Sequence, residues 1–218
     1  MGGYQFDPDK ALAFGVWIAS VVISYIFGLA STNFLQRPKL TISGSGGGGS
    51  QHEFNVNLEN RPGRIGINLN ETIIFGKRVH GLIKIGPSFD RRTSYECFGT
   101  IMDNDTGDII SQLTWRVADG TLKRKVTLES GQSANLLIFA ATDDDPGKYF
   151  IYEWHGNANE PFVVPPANKR FNYSKNFTVI VRDKYDSIVY QDKVTAKITH
   201  GGMLTFASKK GGSTSFQT

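Results

Sequence analysis

The sequence predicts an all-β protein: an antiparallel β-sandwich of roughly nine strands, preceded by one N-terminal transmembrane helix. Between residues 51 and 207, apolar residues recur at every second position in short runs that end at Gly, Pro, Asn or Asp. This pattern is typical of antiparallel strands with one buried face. Residues 11–36 differ, because they include no charged residue and therefore predict a single apolar helix.

The composition divides the 218-residue chain into five segments. The run SGSGGGGS at 43–50 has the composition of a flexible linker, natural or artificial, and the C-terminal residues are polar. The predicted segments are a leader at 1–10, a transmembrane helix at 11–36, a flexible stalk at 37–50, a β-sandwich domain at 51–207 and a disordered tail at 208–218.

The apolar run from Ala11 to Ser31 is long enough, as a helix, to match a hydrocarbon layer roughly 30 Å thick. A cleaved signal peptide is the alternative, since Gly28 and Ala30 offer small residues before a cleavage site. A membrane span is favoured because the run is longer than a signal peptide's apolar core and the leader is acidic. Membrane lipid is therefore the expected partner of residues 11–31.

Small residues in this run form two stripes at helical spacing, which would let a second helix pack closely. An ordinary lipid-facing helix explains the same residues equally well. The residues are Gly15, Ala19, Ser20, Ser24 and Gly28.

The side of the membrane is not fixed by charge, because Lys10 and the amino terminus balance Arg37 and Lys39. Four Asn-x-Ser/Thr sequons are possible glycosylation sites and favour an extracytoplasmic β domain. They lie at Asn70, Asn104, Asn172 and Asn176.

Within the body, two hairpins are predicted. One joins 95–102 to 109–117 through an Asp-rich loop, and the other joins Phe177–Val181 to 188–198. Trp115 shares an inward face with Leu113 and Val117, which predicts it as the central core residue.

The D-x-x-G-type loop, the buried Trp115 and the F-x-V-x-V strand Phe177–Val181 give the body a resemblance to a known class. Over about 40–207, it resembles the immunoglobulin-like sandwich modules that prokaryotic single-span membrane and surface proteins carry. The disulfide pair of antibody domains is absent. The resemblance implies a fold and no chemistry.

Cys97 is the only cysteine, which excludes a disulfide within the chain and a zinc site built from several thiolates. It shares a predicted strand face with Tyr95, Gly99 and Ile101, so it is expected to be a small buried apolar residue.

The sequence offers ligands for two kinds of metal site. A copper centre could draw on Cys97, His200 and Met203, but Cys97 is far from the other two in sequence, whereas blue-copper ligands share a short loop. The acidic loops 103–108 and 143–145 suggest calcium, yet Asx-rich turns account for them. No cofactor is predicted.

A strand near 149–154 places aromatic residues on both of its faces. Tyr149 and Ile151 are assigned to the core. Phe150, Tyr152 and Trp154 are predicted to form an exposed aromatic patch that binds a protein or a glycan.

No catalytic motif occurs, so the chain is not expected to be an enzyme. The net charge of +4 is mild, and nucleic acid is not an expected partner. The sequence predicts a membrane-anchored interaction, scaffold or accessory subunit of a membrane or cell-surface complex that binds a protein partner. The alternatives are a cupredoxin-like metal-binding electron carrier and a glycan-binding surface module.

Overall fold

A computed structural model describes residues 8–30, 36–48, 52–63, 66–68, 72–74, 77–79, 82–84, 90–155, 165, 170–199 and 203–217. The chain forms two compact units, Met1–Arg37 and Pro38–Thr218. The first unit contains helix α1 (Pro8–Ala30), and the second contains the strands.

Helix α1 begins at Pro8, a residue that suits the first turn of a helix because it lacks an N–H group. Among the residues that the structure describes, no helix is both long enough and apolar enough to cross a membrane. The predicted transmembrane helix over 11–36 is therefore not supported.

The second unit is built from strands in its described part. They are β1 (Thr41–Gly48), β2 (His52–Glu59), β3 (Gly66–Asn68), β4 (Thr72–Ile74), β5 (Lys77–Val79), β6 (Leu82–Lys84), β7 (Ser94–Asp103), β8 (Ile109–Gln112), β9 (Thr114–Arg116), β10 (Leu122–Lys123), β11 (Val126–Leu128), β12 (Ser133–Ala141), β13 (Phe150–Ile151), β14 (Lys175–Arg182), β15 (Ile188–Ile198), β16 (Met203–Ser208) and β17 (Gly212–Gln217).

Two antiparallel sheets contain most of these strands. The first sheet has the order β1-β2-β12-β9-β10, with β13 also paired to β12. The second sheet has the order β11-β7-β14-β15-β16-β17, with β8 also paired to β7. Strands β3 to β6 form two ladders, β3 with β6 and β4 with β5. The predicted all-β class and sandwich architecture agree with this arrangement.

One apolar core contains side chains from both sheets. Trp115 is 0% exposed and is the largest fully buried side chain, as its strand pattern predicts. Phe139 of the first sheet lies with its ring centroid 5.1 Å from that of Phe206 and 5.4 Å from that of Phe177, both in the second sheet. The inward faces of the two sheets are therefore packed together through aromatic rings.

The predicted flexible stalk is wrong for residues 41–48, which form β1 along the edge of the first sheet. Ladder hydrogen bonds use backbone groups only, so a glycine-rich run can still pair. Leu40 is buried, and its N–H donates to the Val189 carbonyl over 2.9 Å. Ile42 also packs against the core. Leu40 and Ile42 thereby anchor the start of β1 to the core, and the glycine-rich residues extend the same strand.

The predicted disordered tail is wrong for Gly212–Gln217, which forms β17 against β16. The buried Asp192 carboxylate holds the turn between them. It accepts hydrogen bonds from the Ser208 hydroxyl and from the Lys210 N–H at 3.2 Å. The Gly211 N–H in turn donates to the Ser208 hydroxyl over 2.9 Å.

Two bulges change which way side chains point. Glu96 adopts a left-handed conformation, with φ of 47°, where β7 pairs irregularly with β11. Tyr95 is consequently exposed, which corrects its predicted place on the inward face, while Cys97 remains buried. A second bulge in β12 leaves Ile138 and Phe139 both in the core.

Candidate functional site

The predicted aromatic patch is not exposed as expected. Phe150 is 1% exposed and Tyr152 is 3% exposed, whereas Trp154 is half-buried. Phe150 and Tyr152 belong to an outer cluster on the outward face of the first sheet, which also contains Leu137, Ala140 and the partly buried Leu122.

The bulge in β12 accounts for this outer cluster. It leaves Leu137 and Ala140 on the outward face, on either side of two residues that enter the core. Ala140 lies directly across from Phe150 on β13. Apolar side chains therefore meet on a face that simple alternation assigns to solvent.

An ion pair lies beside the outer cluster. The Arg116 guanidinium donates to both Glu53 carboxylate oxygens, at 2.6 and 2.9 Å. This bonding raises the pKa of Arg116, and burial raises the pKa of the Tyr152 hydroxyl to about 12. The Tyr152 hydroxyl also interacts with both members of the pair. The outward face of the first sheet is thus covered by the packed apolar side chains of the outer cluster and by the Arg116–Glu53 ion pair.

A cleft of about 450 Å³ opens next to Phe150 of the outer cluster. Three separate parts of the chain line it: β8, the residues around β13, and the segment that precedes β14. The lining includes Ile110, Phe150, Glu153, Arg170, Phe171 and Tyr173.

Backbone pairing fixes the wall formed by 171–173. The Tyr149 N–H donates to the Phe171 carbonyl over 3.0 Å, and the Phe171 N–H donates back over 2.7 Å. The Tyr149 hydroxyl donates to the Tyr173 carbonyl over 3.1 Å. The Phe171 ring stacks on Tyr149 at 5.3 Å and meets Tyr173 edge-on at 5.8 Å. The aromatic wall is therefore anchored to the core.

Ile110 and Tyr173 of the cleft lining are exposed apolar side chains, and so is Ile109, the sequence neighbour of Ile110; we call these three residues the apolar rim. Ile109 is 68% exposed and Tyr173 is 50% exposed, and Ile110 is also exposed. The β7–β8 ladder is irregular between Ile101 and Met102. This irregularity explains why the adjacent residues Ile109 and Ile110 are both exposed.

The charged side chains of the cleft differ in whether they have an oppositely charged partner. Arg170 donates to the Asp145 carboxylate at 2.9 Å and to the Pro165 carbonyl at 3.1 Å. Lys148 binds the same carboxylate at 3.0 Å, and this hydrogen bond is the main reason that the pKa of Asp145 is lowered. Glu153 is exposed and has no cation within 4 Å among the residues that the structure describes.

Cys97 is buried, as predicted, and its sulfur lies 2.8 Å from the Ser94 hydroxyl oxygen. Burial raises the pKa of the Cys97 thiol to about 11, so the thiolate form that binds copper is disfavoured at neutral pH. His200 lies outside the described residues. Within the part of the chain that can be described, no group of three or more His, Cys, Asp or Glu side chains could hold a metal ion.

The acidic loop at 103–108 is a hairpin turn, the reading preferred over calcium. The Asp105 N–H donates to the Asp103 carboxylate over 2.9 Å, and Lys175 binds that carboxylate at 2.5 Å. The contact with Lys175 is the largest cause of the lowered pKa of Asp103. In the second acidic loop, Asp143 lies 2.7 Å from His52.

The glycosylation sites and the helix-packing stripes remain predictions. The sequons Asn104, Asn172 and Asn176 are exposed, and Asn70 lies outside the described residues. In α1, the small residues of the two stripes are all exposed: Gly15, Ala19, Ser20, Ser24 and Gly28.

Comparison with protein-family models, curated proteins and solved structures finds no match. The site must therefore be interpreted from its own geometry.

Sequence reasoning missed Tyr173, Phe171 and Arg170, because the segment before β14 lacks strand alternation. It also missed the exposure of Ile109 and Ile110. Two adjacent isoleucines at the start of a strand place one apolar side chain on each face, and that pattern could have identified an exposed one.

Proposed function

We propose that this chain is a non-catalytic interaction module, an immunoglobulin-like β-sandwich that binds a protein partner through the cleft. The observation that carries the proposal is the open cleft of about 450 Å³ with aromatic side chains in its wall. The two antiparallel sheets and the buried Trp115 support the immunoglobulin-like assignment.

The apolar rim favours a protein partner. Ile109, Ile110 and Tyr173 expose apolar surface that water solvates poorly, and a partner would remove that surface from water. Tyrosine and other aromatic residues are common at the energetic centres of protein interfaces. Phe171 and Tyr173 are held in place by Tyr149, so binding would cost little ordering of the wall.

The charged groups suggest what the partner presents. Arg170 is already bound to Asp145, so its charge is largely satisfied. Glu153 is exposed, and a basic side chain on the partner would complement it. We infer a partner segment with an apolar anchor and a neighbouring Lys or Arg.

The proposal is non-catalytic because of the chemistry that the cleft offers. Among the described residues, the ionisable side chains that line it are the exposed Glu153, the paired Arg170 and Tyr173. Acid–base catalysis usually needs a nucleophile and a base, or two carboxylates, within reach of one another.

The proposal also includes lipid contact through residues 11–31 and an extracytoplasmic β domain in a membrane or cell-surface complex. Support comes from the exposed apolar side chains of α1, which surround the helix. They are Val16, Trp17, Ile18, Val21, Val22, Ile23, Tyr25 and Ile26. For residues 11–31, we propose contact with lipid and not a membrane crossing.

Vesicle flotation tests the lipid contact. The full chain is expected to float with neutral phosphatidylcholine vesicles, and the double variant Val22→Lys/Ile26→Lys is expected to remain in the soluble fraction. Equal flotation of both proteins would contradict the lipid contact and leave the cleft proposal untouched.

Site-specific photocrosslinking tests the cleft. A benzoylphenylalanine at Tyr173 is expected to give one discrete crosslinked species in the cells that produce the protein, and Ile109→Asp should abolish it. The same probe at Tyr185, which is 70% exposed, is the matched control. A species common to both positions, or none from Tyr173, would refute binding at the cleft.

A glycan is the second candidate, because sugars stack on aromatic rings and the Phe171 and Tyr173 rings line a cleft that also holds Arg170 and Glu153. Calorimetry with neutral oligosaccharides separates the two. Sugar binding that is lost in Tyr173→Ala and retained in Ile109→Asp would favour the glycan.

Stoichiometric copper that is lost in Cys97→Ser would instead favour the electron carrier.

A further inference from the structure

The outward face of the second sheet carries lysines that have no acidic partner. Lys193 and Lys197 lie on β15, and Lys209 directly follows β16; we call these three residues the lysine face. All three are exposed. In the described part of the chain, none of them has a carboxylate within 4 Å.

In the part of the chain that the structure describes, seven other Lys or Arg residues have a carboxylate within 4 Å, and each pair neutralises charge locally. The pairs are Arg61–Glu59, Arg116–Glu53, Lys125–Glu96, Lys148–Asp145, Arg170–Asp145, Lys175–Asp103 and Arg182–Asp186. The three residues of the lysine face are not among them.

On β15 and β16, the outward positions around the lysines carry no acidic side chain. The outward positions on β15 and β16 other than the lysines are Gln191, Thr195, Met203, Thr205 and Ala207. Asp192 lies between Gln191 and Lys193, but it is buried and faces the other side of the sheet. On these two strands, no outward carboxylate offsets the positive charge of the lysine face.

A shallow depression of about 360 Å³ lies within this face. Lys193 and Lys209 line it, with Asn104, Asn176 and Thr195. Ala207, also in the lining, is the smallest side chain on the outward face of β16, and this explains why the surface dips there.

The strand register sets the spacing of the charges. Lys193 and Lys197 are four residues apart on one face of β15, a separation of about 13 Å. The Lys209 N–H donates to the Lys193 carbonyl over 2.9 Å, so these two lysines are neighbours. Positive charge thus extends along the sheet, and two of the three lysines, Lys193 and Lys209, lie at the depression.

We propose that the lysine face binds an anionic polysaccharide, a sugar chain that carries sulfate or carboxylate groups. Lysine ammonium groups bind such anions, and the Thr195 hydroxyl, which donates to Asn176 Oδ1 over 2.7 Å, can accept a hydrogen bond from a sugar hydroxyl. The exposed large apolar side chains of β15 and β16 are Ile188 and Met203, so these strands lack the aromatic anchors of a protein interface. This site shares no residue with the cleft.

The test uses size-defined heparin oligosaccharides and calorimetry on the full chain at low salt. The triple variant Lys193→Gln/Lys197→Gln/Lys209→Gln is expected to bind roughly tenfold or more weakly, since each charged contact contributes a fraction of the affinity. The control triple Lys39→Gln/Lys123→Gln/Lys184→Gln removes the same charge from other exposed positions and should bind as the parent does. Equal loss in both variants would overturn the proposal.

A second variant separates a site from diffuse attraction. Ala207→Leu fills the depression without changing charge and is expected to weaken heparin binding while leaving thermal stability unchanged; unaltered affinity would refute binding at the depression. Polyglutamate of matched charge should bind more weakly than heparin. Equal polyglutamate binding, or binding only to vesicles that contain phosphatidylserine, would show that the sugar is not what the face recognises.

Discussion

The outward face of the first sheet buries an apolar cluster and a bidentate ion pair, whereas the outward face of the second sheet carries hydroxyl, amide and unpaired lysine side chains. Both faces belong to strands with the same alternating inward pattern. The difference arises from the β12 bulge and from β13, which together add apolar side chains outside the first sheet. One face therefore contributes to stability through packing and charge pairing, and the other leaves its lysine side chains exposed.

The largest effect is expected where both sheets meet. Trp115→Ala should lower the free energy of unfolding by about 3 to 5 kcal/mol, because it leaves a large cavity in the shared core. Urea unfolding measures the change.

Trp115→Phe is the informative control. The indole N–H of Trp115 has no hydrogen-bond partner among the described residues, so the variant loses no such bond. Its cost should be clearly smaller than that of Trp115→Ala. Equal costs would mean that the indole makes a polar contact and is not simply a packed ring.

The outer cluster provides the direct test of the comparison. Phe150→Ala should cost about 3 kcal/mol, because its ring is buried outside the first sheet. Thr195→Ala, on the outward face of the second sheet, should cost about 0.5 kcal/mol or less. If chemical denaturation gave similar values for the two variants, the outward faces would not differ in the way described.

A smaller effect is expected from the ion pair of the first sheet. Glu53→Gln should destabilise the domain by about 2 kcal/mol, since Arg116 is partly buried and would lose its charged partner. In Arg116→Met, the same Glu53→Gln change should cost much less. Thermal melts of the four proteins give the coupling energy, and a value near zero would show that the pair does not stabilise the fold.

The smallest effect concerns pH and an ion pair of the second sheet. The pKa of Asp103 in the folded protein lies below its ordinary value of 3.8, so its ionised form stabilises the native state. That contribution is present above about pH 4 and is lost as the pH falls through the lowered pKa of the folded protein. In a plot of the free energy of unfolding against pH, Asp103→Asn should make the decrease on the acid side, here called the acid limb, less steep. An unchanged acid limb would exclude Asp103 as its source.

Strand alternation correctly predicted much of the fold. It identified β7, β14 and β15, the burial of Trp115 and Cys97, and the hairpin turn at 103–108. These features depend on residues close together in sequence, so local pattern suffices.

The candidate cleft was not predictable in the same way. Ile110, Glu153 and Tyr173 come from three segments that only the folded chain brings together. The lysine face has the same origin, since Lys209 reaches Lys193 through the pairing of β16 with β15.

By itself, the sequence determined that this is a β protein with Trp115 in its core, because the spacing of apolar residues selects both the strand and its buried face. Tertiary structure alone decided that the glycine-rich residues 41–48 pair as a strand, that Phe150 and Tyr152 are buried, and that the lysine face is left open. The physical reason is that a bulge shifts every later side chain to the other face. Backbone pairing needs no side-chain signal, and whether a second face is covered depends on segments distant in sequence.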